Sequence, residues 1–316
     1  MPEGHTIHRL AAALTGRFGG HDVRASSPQG RFADEAAIID GARLRRVGAH
    51  GKHLFIEYAG RSAPVVHIHL GLGGRVVVGD APAPPPRGAI RLRLETGEAY
   101  ADVRAPTVCE LVDARRQRAL VARLGPDLLA RAPDPAAARR RVSRSRVAIG
   151  ALLLDQKLFA GVGNAYRSEL LFRCGISPWT PGLAVGEGGF DRLWEEARRL
   201  LAEGRRTGRV STVDPVDLPR GQRRAARRRL PPEDEASGSA VARARARETY
   251  VYKRSGLPCR RCGMEVRTAL QAARDVYWCP ACQPGPADPP PGGPDAAGEA
   301  PGASDPASLE SDGAVG

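Results

Sequence analysis

The chain has 316 residues, 48 of them Lys or Arg against 35 Asp or Glu, a formal net charge of +13 and a pI near 10.2. That length favours two domains with room for real cores, and the basic excess favours a polyanionic partner. No apolar run approaches membrane-spanning length, and the N-terminus lacks the basic, apolar, small-residue order of a signal peptide; the expectation is a cytoplasmic protein without membrane contact.

Met1-Pro2-Glu3-Gly4 opens the chain. Loss of the initiator Met would leave Pro2 with a free secondary amine, followed at once by a carboxylic acid. An α-amino terminus titrates at about pH 8 and is substantially neutral at physiological pH. Neutral amines attack electrophilic carbons and form Schiff bases, which no peptide-bonded proline can do. Beyond Glu3, Ile7, Leu10, Ala11 and Leu14 mark one face of a helix, with Gly16, Gly19 and Gly20 expected to end it. Short alternating or apolar runs follow: Leu54 to Tyr58, Val65 to Leu70, Arg75 to Val78, Ile90 to Leu94 and Val108 to Val112. Gly71, Gly73, Gly74 and the Pro82 to Pro86 loop separate them, a pattern that predicts a two-layer β structure with the first helix beside it. His67 and His69 alternate on one strand face, where two imidazoles could bind metal. No third ligand is evident, and structural hydrogen bonding is the favoured reading.

From Ala114 the period becomes helical, through Leu120, Leu124, Leu128 and Leu129 and again over Val147 to Leu154. Arg139 to Arg146 is a basic run that suits a solvated helix face as well as phosphate contact. Gly161-Val162-Gly163-Asn164 separates two helical patterns, with Asn164 expected as N-cap and the free amides of the following helix directed at a phosphate oxygen. Arg205 to Arg229 reads as a mobile basic loop and Glu233 to Ser239 as disordered. Cys259-x-x-Cys262 and Cys279-x-x-Cys282, sixteen residues apart, have zinc-ribbon spacing; disulfides are the competing reading, disfavoured in a cytoplasmic chain. Cys109 and Cys174 read as buried small apolar residues. The tail beyond Gln283 holds six acids, no Lys or Arg, and much Pro, Gly, Ala and Ser, so disorder is expected.

Taken together, Pro2-Glu3-Gly4, Gly51-Lys52-His53-Leu54, His69-Leu70-Gly71-Leu72-Gly73-Gly74, the Leu153 to Pro178 segment and the ribbon Tyr252 to Cys282 resemble the formamidopyrimidine-DNA glycosylase and endonuclease VIII family, over Pro2 to about Gln283. The resemblance implies an α+β fold of two domains: an N-terminal β-sandwich with the terminal helix, and a C-terminal helical helix-two-turn-helix domain with a zinc-ribbon hairpin. The expected division is 1–115 for the catalytic sandwich, 116–248 for the helical domain with a basic loop at 205–239, 249–283 for the zinc finger and 284–316 for a disordered acidic tail.

The resemblance further implies base-excision repair chemistry on damaged DNA by a monomer carrying one structural Zn2+. Pro2 would attack the sugar C1′, Glu3 would act as acid/base and Lys52 would contact phosphate and assist. β,δ-elimination would then cut the strand. Asn164 and Arg274 match the phosphate clamp, Leu72 the wedge that fills the space of the extruded nucleotide, and Arg104 part of a second wedge loop; Lys253 is grouped with the DNA contacts. Cys259, Cys262, Cys279 and Cys282 match the metal ligands. Two departures stand out: His5-Thr6 replaces the Pro-Glu of many members, so Thr6 supplies no second carboxylate, and Pro106-Thr107 replaces an aromatic wedge. Gly4 leans toward the endonuclease VIII branch and oxidised pyrimidines. The departures motivate a competing reading, a damage- or single-strand-binding protein with the same fold and weak or lost catalysis.

Overall fold

A computed structural model describes residues 2–60, 64–218 and 248–286. Met1, most of the expected basic loop, the Glu233 to Ser239 segment and nearly all of the acidic tail lie outside the described residues.

The first helix, α1 (Gly4–Phe18), buries Ile7, Leu10, Ala11, Leu14 and Phe18. Its apolar stripe is the one read from the sequence, but Gly16 lies inside the helix and the chain leaves at Gly19, whose amide bonds the Thr15 carbonyl. The strands are β1 (Asp22–Ser26), β2 (Ala42–His50), β3 (His53–Tyr58), β4 (Val65–His69), β5 (Arg75–Asp80), β6 (Ile90–Glu95), β7 (Ala99–Arg104) and β8 (Val108–Val112), with α2 (Ala33–Ile39) between β1 and β2. They run in the order β5-β7-β6-β1-β2-β3-β4-β8, every pair antiparallel.

β1 joins the two layers. Its first residues, Asp22 and Val23, pair with β2, while Arg24, Ala25 and Ser26 pair with β6. Inward side chains from both layers, including Leu54, Ile56, Val66, Ile68, Leu92 and Val103, close over the apolar face of α1. Each large side chain taken fully from water contributes about 1.5–3 kcal/mol. On the opposite face, Phe55, Val65 and Val112 pack against Leu120 and Val121 of α3 (Ala114–Ala122).

The second core gathers α4 (Ala136–Val142), α5 (Ile149–Leu152), α6 (Asn164–Cys174) and α7 (Gly186–Thr207) around Leu153, Phe159, Tyr166, Leu170, Trp194 and Leu201. Helix α7 carries the chain to Thr207, so the first residues of the expected basic loop are helical. In the basic run after α4 begins, Arg139 pairs with Asp191 of α7.

The ribbon is a hairpin of β9 (Arg267–Gln271) and β10 (Arg274–Trp278). Ala272 and Ala273 form its tip with φ of 51° and 56°, the left-handed conformations that a two-residue hairpin turn demands and that Asn-Gly adopts more easily. Tyr250, Val251, Val266 and Cys279 pack with Phe172 of α6, so the ribbon shares a core with the helical domain.

Candidate active site and nucleic-acid interface

The N-terminus, the β2–β3 turn, the β4–β5 loop, the segment before α6 and the ribbon tip converge on one cleft of about 180 Å³. Pro2, Lys52, Leu72 and Arg274, four of the residues singled out from the sequence, line it together with Ile7, His69, Leu70, Gly71, Leu154 and Gln156. Leu72 is 67% exposed at the rim.

Glu3 is 1% exposed and turns away from solvent into the start of α6. Its carboxylate accepts from the amides of Gly163 and Ala165 at 2.8 Å each and Tyr166 at 3.4 Å. This corrects the expectation that those amides face a phosphate: the helix dipole is met by the protein's own carboxylate. The cap position also falls one residue earlier, to Gly163. A Cβ on Gly163 would lie 2.5 Å from Glu3 Cδ, so only glycine leaves room for the carboxyl. Beside it, the Gly4 amide bonds the Gly161 carbonyl at 2.8 Å, and Gly161 adopts φ +102°.

Burial pushes the Glu3 carboxyl above its ordinary pKa, while Lys52 and the Ala165 and Gly163 amides oppose the rise. Burial likewise lowers Lys52 to about 8, with Glu3 raising it and Arg274 lowering it. Lys52 therefore titrates close to neutrality, the range in which proton transfer and phosphate contact can both be served. His5 is fully buried, edge-on to Tyr166 at 5.2 Å, and burial holds its pKa at about 3. It does not line the cleft and supplies no replacement there for the carboxylate absent at Thr6.

Asn164 is 7% exposed, its amide donating to the Asp275 carbonyl of β10 at 2.8 Å and its oxygen accepting from Arg167. Arg167, fully buried, also donates to the carbonyls of Gln271 (3.1 Å), Arg274 (3.2 Å) and Asp275 (3.0 Å). Burial and the neighbouring Arg274 hold its pKa down at about 10. The hairpin tip bearing Arg274 is thus anchored to α6 from behind. Gln156 has a similar role on the other wall: its amide donates to the Leu154 and Val162 carbonyls and its oxygen accepts from Gly161. Gln156 and Arg167 both fall within the Leu153 to Pro178 segment, where a Gln and an Arg flanking a Gly-Val-Gly turn were the only signal of their roles.

Three predicted DNA contacts stand apart from the cleft lining: Asn164, spent on Asp275 and Arg167, and Arg104 and Lys253. Arg104 is drawn into the sheet by Asp102 (2.9 Å) and the Arg87 carbonyl (3.2 Å). Lys253 adopts φ 55° on the ribbon module, its ammonium 5.8 Å from the Tyr252 ring centre. Thr107 packs beneath the wedge loop: a Cβ on Gly71 would strike its hydroxyl at 1.8 Å.

The four ribbon thiols all lie within 4.8 Å of one another, with Cys259–Cys282 at 3.8 Å and Cys262–Cys279 at 3.4 Å. Thiolates held about 2.3 Å from a common tetrahedral centre are separated by such distances. The residues fit one structural zinc. Cys109 and Cys174 are half-buried beside the two main cores, and burial pushes their thiols up to about 12 and about 11.

Residues 1–119 match the formamidopyrimidine-DNA glycosylase N-terminal domain, 124–215 its H2TH domain and 256–285 the zinc finger found in FPG and IleRS. The chain belongs to the formamidopyrimidine-DNA glycosylase and endonuclease VIII family. It is 46% identical over 287 residues to Endonuclease 8 1 of Mycobacterium tuberculosis, covering 90% of this chain and 100% of that one. It is 32% identical over 291 residues to the DNA-(apurinic or apyrimidinic site) lyase Nei2 of Mycolicibacterium smegmatis, covering 90% and 99%. A mutant Lactococcus lactis FPG in complex with Fapy-dG-containing DNA has the same fold, with a TM-score of 0.69 at 22% identity over 90% of this chain and 100% of that one. The chain is an enzyme of this glycosylase and AP-lyase family, with the ribbon as its zinc finger.

Proposed function

We propose that this glycosylase/AP lyase excises oxidised bases, pyrimidines foremost, through a Schiff base on Pro2, and cuts the strand by β,δ-elimination. The observation that carries the reading is the convergence of Pro2, Lys52 and Arg274 on one cleft, with Glu3 buried directly behind the terminal proline. In this reading the sandwich (1–115) supplies the amine and Lys52, while the helical (116–248) and zinc (249–283) parts grip DNA. Asn164, Arg274 and Lys253 contact phosphate, and Leu72, with Arg104 once released from Asp102, fills the space of an extruded nucleotide, whose removal from the stack costs a few kcal/mol. The protein acts as a monomer on chromosomal DNA in the cytoplasm. The preference for pyrimidines rests on identity to endonuclease 8 relatives.

Borohydride trapping on abasic-site DNA tests the nucleophile. A covalent adduct is expected with the wild type and none once its α-amine is blocked by acetylation. An adduct that persists with the blocked terminus moves the nucleophile elsewhere, and a wild type that binds abasic DNA without trapping leaves the damage-binding alternative.

A further inference from the structure

A row of ionisable side chains leaves the cleft along the outer face of the sandwich. His53 pairs with His69 and Phe55 with His67 between β3 and β4, and His67 pairs with Glu110 between β4 and β8. Strand side chains alternate, so with Leu54, Ile56, Val66 and Ile68 in the core these groups share the opposite face. His67 Nδ1 lies 2.8 Å from Glu110 Oε1, and His67 Nε2 lies 2.9 Å from His53 Nδ1. The His53 and His67 rings stack at 5.1 Å, with Phe55 stacked on His67 at 5.0 Å. The His69 ring centre stands 4.9 Å from that of His53, the rings tilted at 52°, and His69 lines the cleft with Pro2 and Lys52. At the other end Glu110 is 43% exposed, whereas His67 is 3% exposed.

The hydrogen bonds have a direction. A carboxylate oxygen accepts, so His67 Nδ1–H donates to Glu110, and the His67 Nε2 lone pair accepts from His53 Nδ1–H. His53 is left with its lone pair on Nε2. A carboxylate orients an imidazole base in this way in hydrolase triads, here with one ring more. The ionisable groups around the row are His50 of β2, Lys52 of the β2–β3 turn, His69 of β4 and Glu110 of β8. Burial together with His69, His67, His50 and Lys52 lowers His53 to about 3, and burial with Lys52 and His67 lowers His69. Both rings therefore rest neutral and able to accept.

We infer that Glu110, His67 and His53 form a proton relay between the cleft and solvent, reached from the cleft through His69. The inference rests on the lyase reading above and deepens it. A proton arriving on His53 Nε2 is balanced by transfer of the His53 Nδ1 proton to His67, of the His67 Nδ1 proton to Glu110, and of one proton from Glu110 to water. The passage leaves both rings in the opposite tautomer, ready to return one proton inward. Schiff-base formation needs that sequence: the attacking amine nitrogen sheds a proton, and the C1′ hydroxyl takes one as it leaves as water.

Single-turnover cleavage of abasic-site DNA across a pH series tests the relay. Glu110→Gln keeps an oxygen facing His67 but takes up no proton, and His67→Phe keeps the ring stack but breaks the chain. Each is expected to cut roughly tenfold more slowly, with an altered pH profile, below the roughly 10²- to 10⁴-fold effect of a group acting directly. DNA affinity and Tm of Glu110→Gln should stay at wild-type values, and imidazole buffer should restore its rate. A Glu110→Gln enzyme with wild-type rate and pH profile, or a loss that imidazole leaves unrepaired, overturns the relay. Failure of the wild type itself to cut would instead overturn the lyase reading.

Discussion

Glu3 and Glu169 are two buried carboxylates that each tie a separate part of the chain to α6 through backbone amides, from opposite sides of the contact. Glu3 comes from the sandwich and accepts the first amides of the helix. Glu169 comes from the helix itself and accepts the amides of Tyr250, Val251 and Tyr252 at 2.8 Å each, with the Thr212 hydroxyl beside them. Each bond to a charged acceptor contributes about 1.5–3 kcal/mol, and each carboxylate fastens a separate part of the chain to α6. What separates them is their surroundings. Glu3 adjoins Pro2 and interacts with Lys52 at a cleft, whereas Glu169 borders the sealed core of Phe172, Tyr250 and Val251. A carboxylate held by backbone amides is a fastening by default; the neighbouring cation and the adjoining cleft are what support the proposed catalytic role of Glu3.

Glutamine substitution is the strongest way to break this comparison. A Gln side chain turns an NH2 group toward amides that need an acceptor, so Glu3→Gln and Glu169→Gln should each lose about 2–4 kcal/mol of stability. Below both melting temperatures, only Glu3→Gln should also lose base excision by more than about 10²-fold. Thermal melts paired with single-turnover assays separate the two effects, and equal activity loss in both variants would make Glu3 a fastening alone.

Arg167→Met sharpens the comparison at the ribbon. It keeps the bulk but leaves the Gln271, Arg274 and Asp275 carbonyls without their buried donor. Affinity for abasic DNA is expected to fall about tenfold, or about 1.4 kcal/mol, with zinc retained. Anisotropy titrations with metal analysis check it; unchanged affinity would show that Arg274 needs no anchoring from α6.

The smallest effect concerns Lys52. Its amine is charged below about pH 8 and neutral above. DNA favours the charged form, so its pKa rises on binding and wild-type affinity should fall as pH climbs past 8, by at most about tenfold per pH unit. Lys52→Arg stays charged and should bind with little pH dependence in that range. Parallel slopes for the two proteins would remove Lys52 from phosphate contact.

Legibility varied with how much a residue's role depended on distant partners. Helix α1 was readable because Ile7, Leu10, Ala11 and Leu14 repeat at the helical period. Strands β3 to β6 and β8 were readable from apolar runs between turn residues. β7 went unread because its inward positions include Ala99 and Ala101, too small to mark an alternation. β2 is rich in arginine and carries an irregularity between Leu44 and Arg46 that breaks its period. At the site, Pro2 and the four cysteines stood out by type and spacing, whereas Lys52, Leu72 and Arg274 were named only through the resemblance to the family. The capping role of Glu3 spans 160 residues or more in sequence, and no local pattern reports a bond of that reach.

The order of motifs along the chain was enough to establish the family and the ribbon as a zinc site, because those depend on residue type and short spacing. Tertiary structure alone decided that the amides of α6 close on Glu3, that Asn164 and Arg167 hold the ribbon tip, and that Arg104 turns toward Asp102. It also aligned Glu110, His67 and His53 across three strands. Burial and the meeting of distant segments set those partners and the displaced pKa of Lys52, and both arise only once the chain has packed.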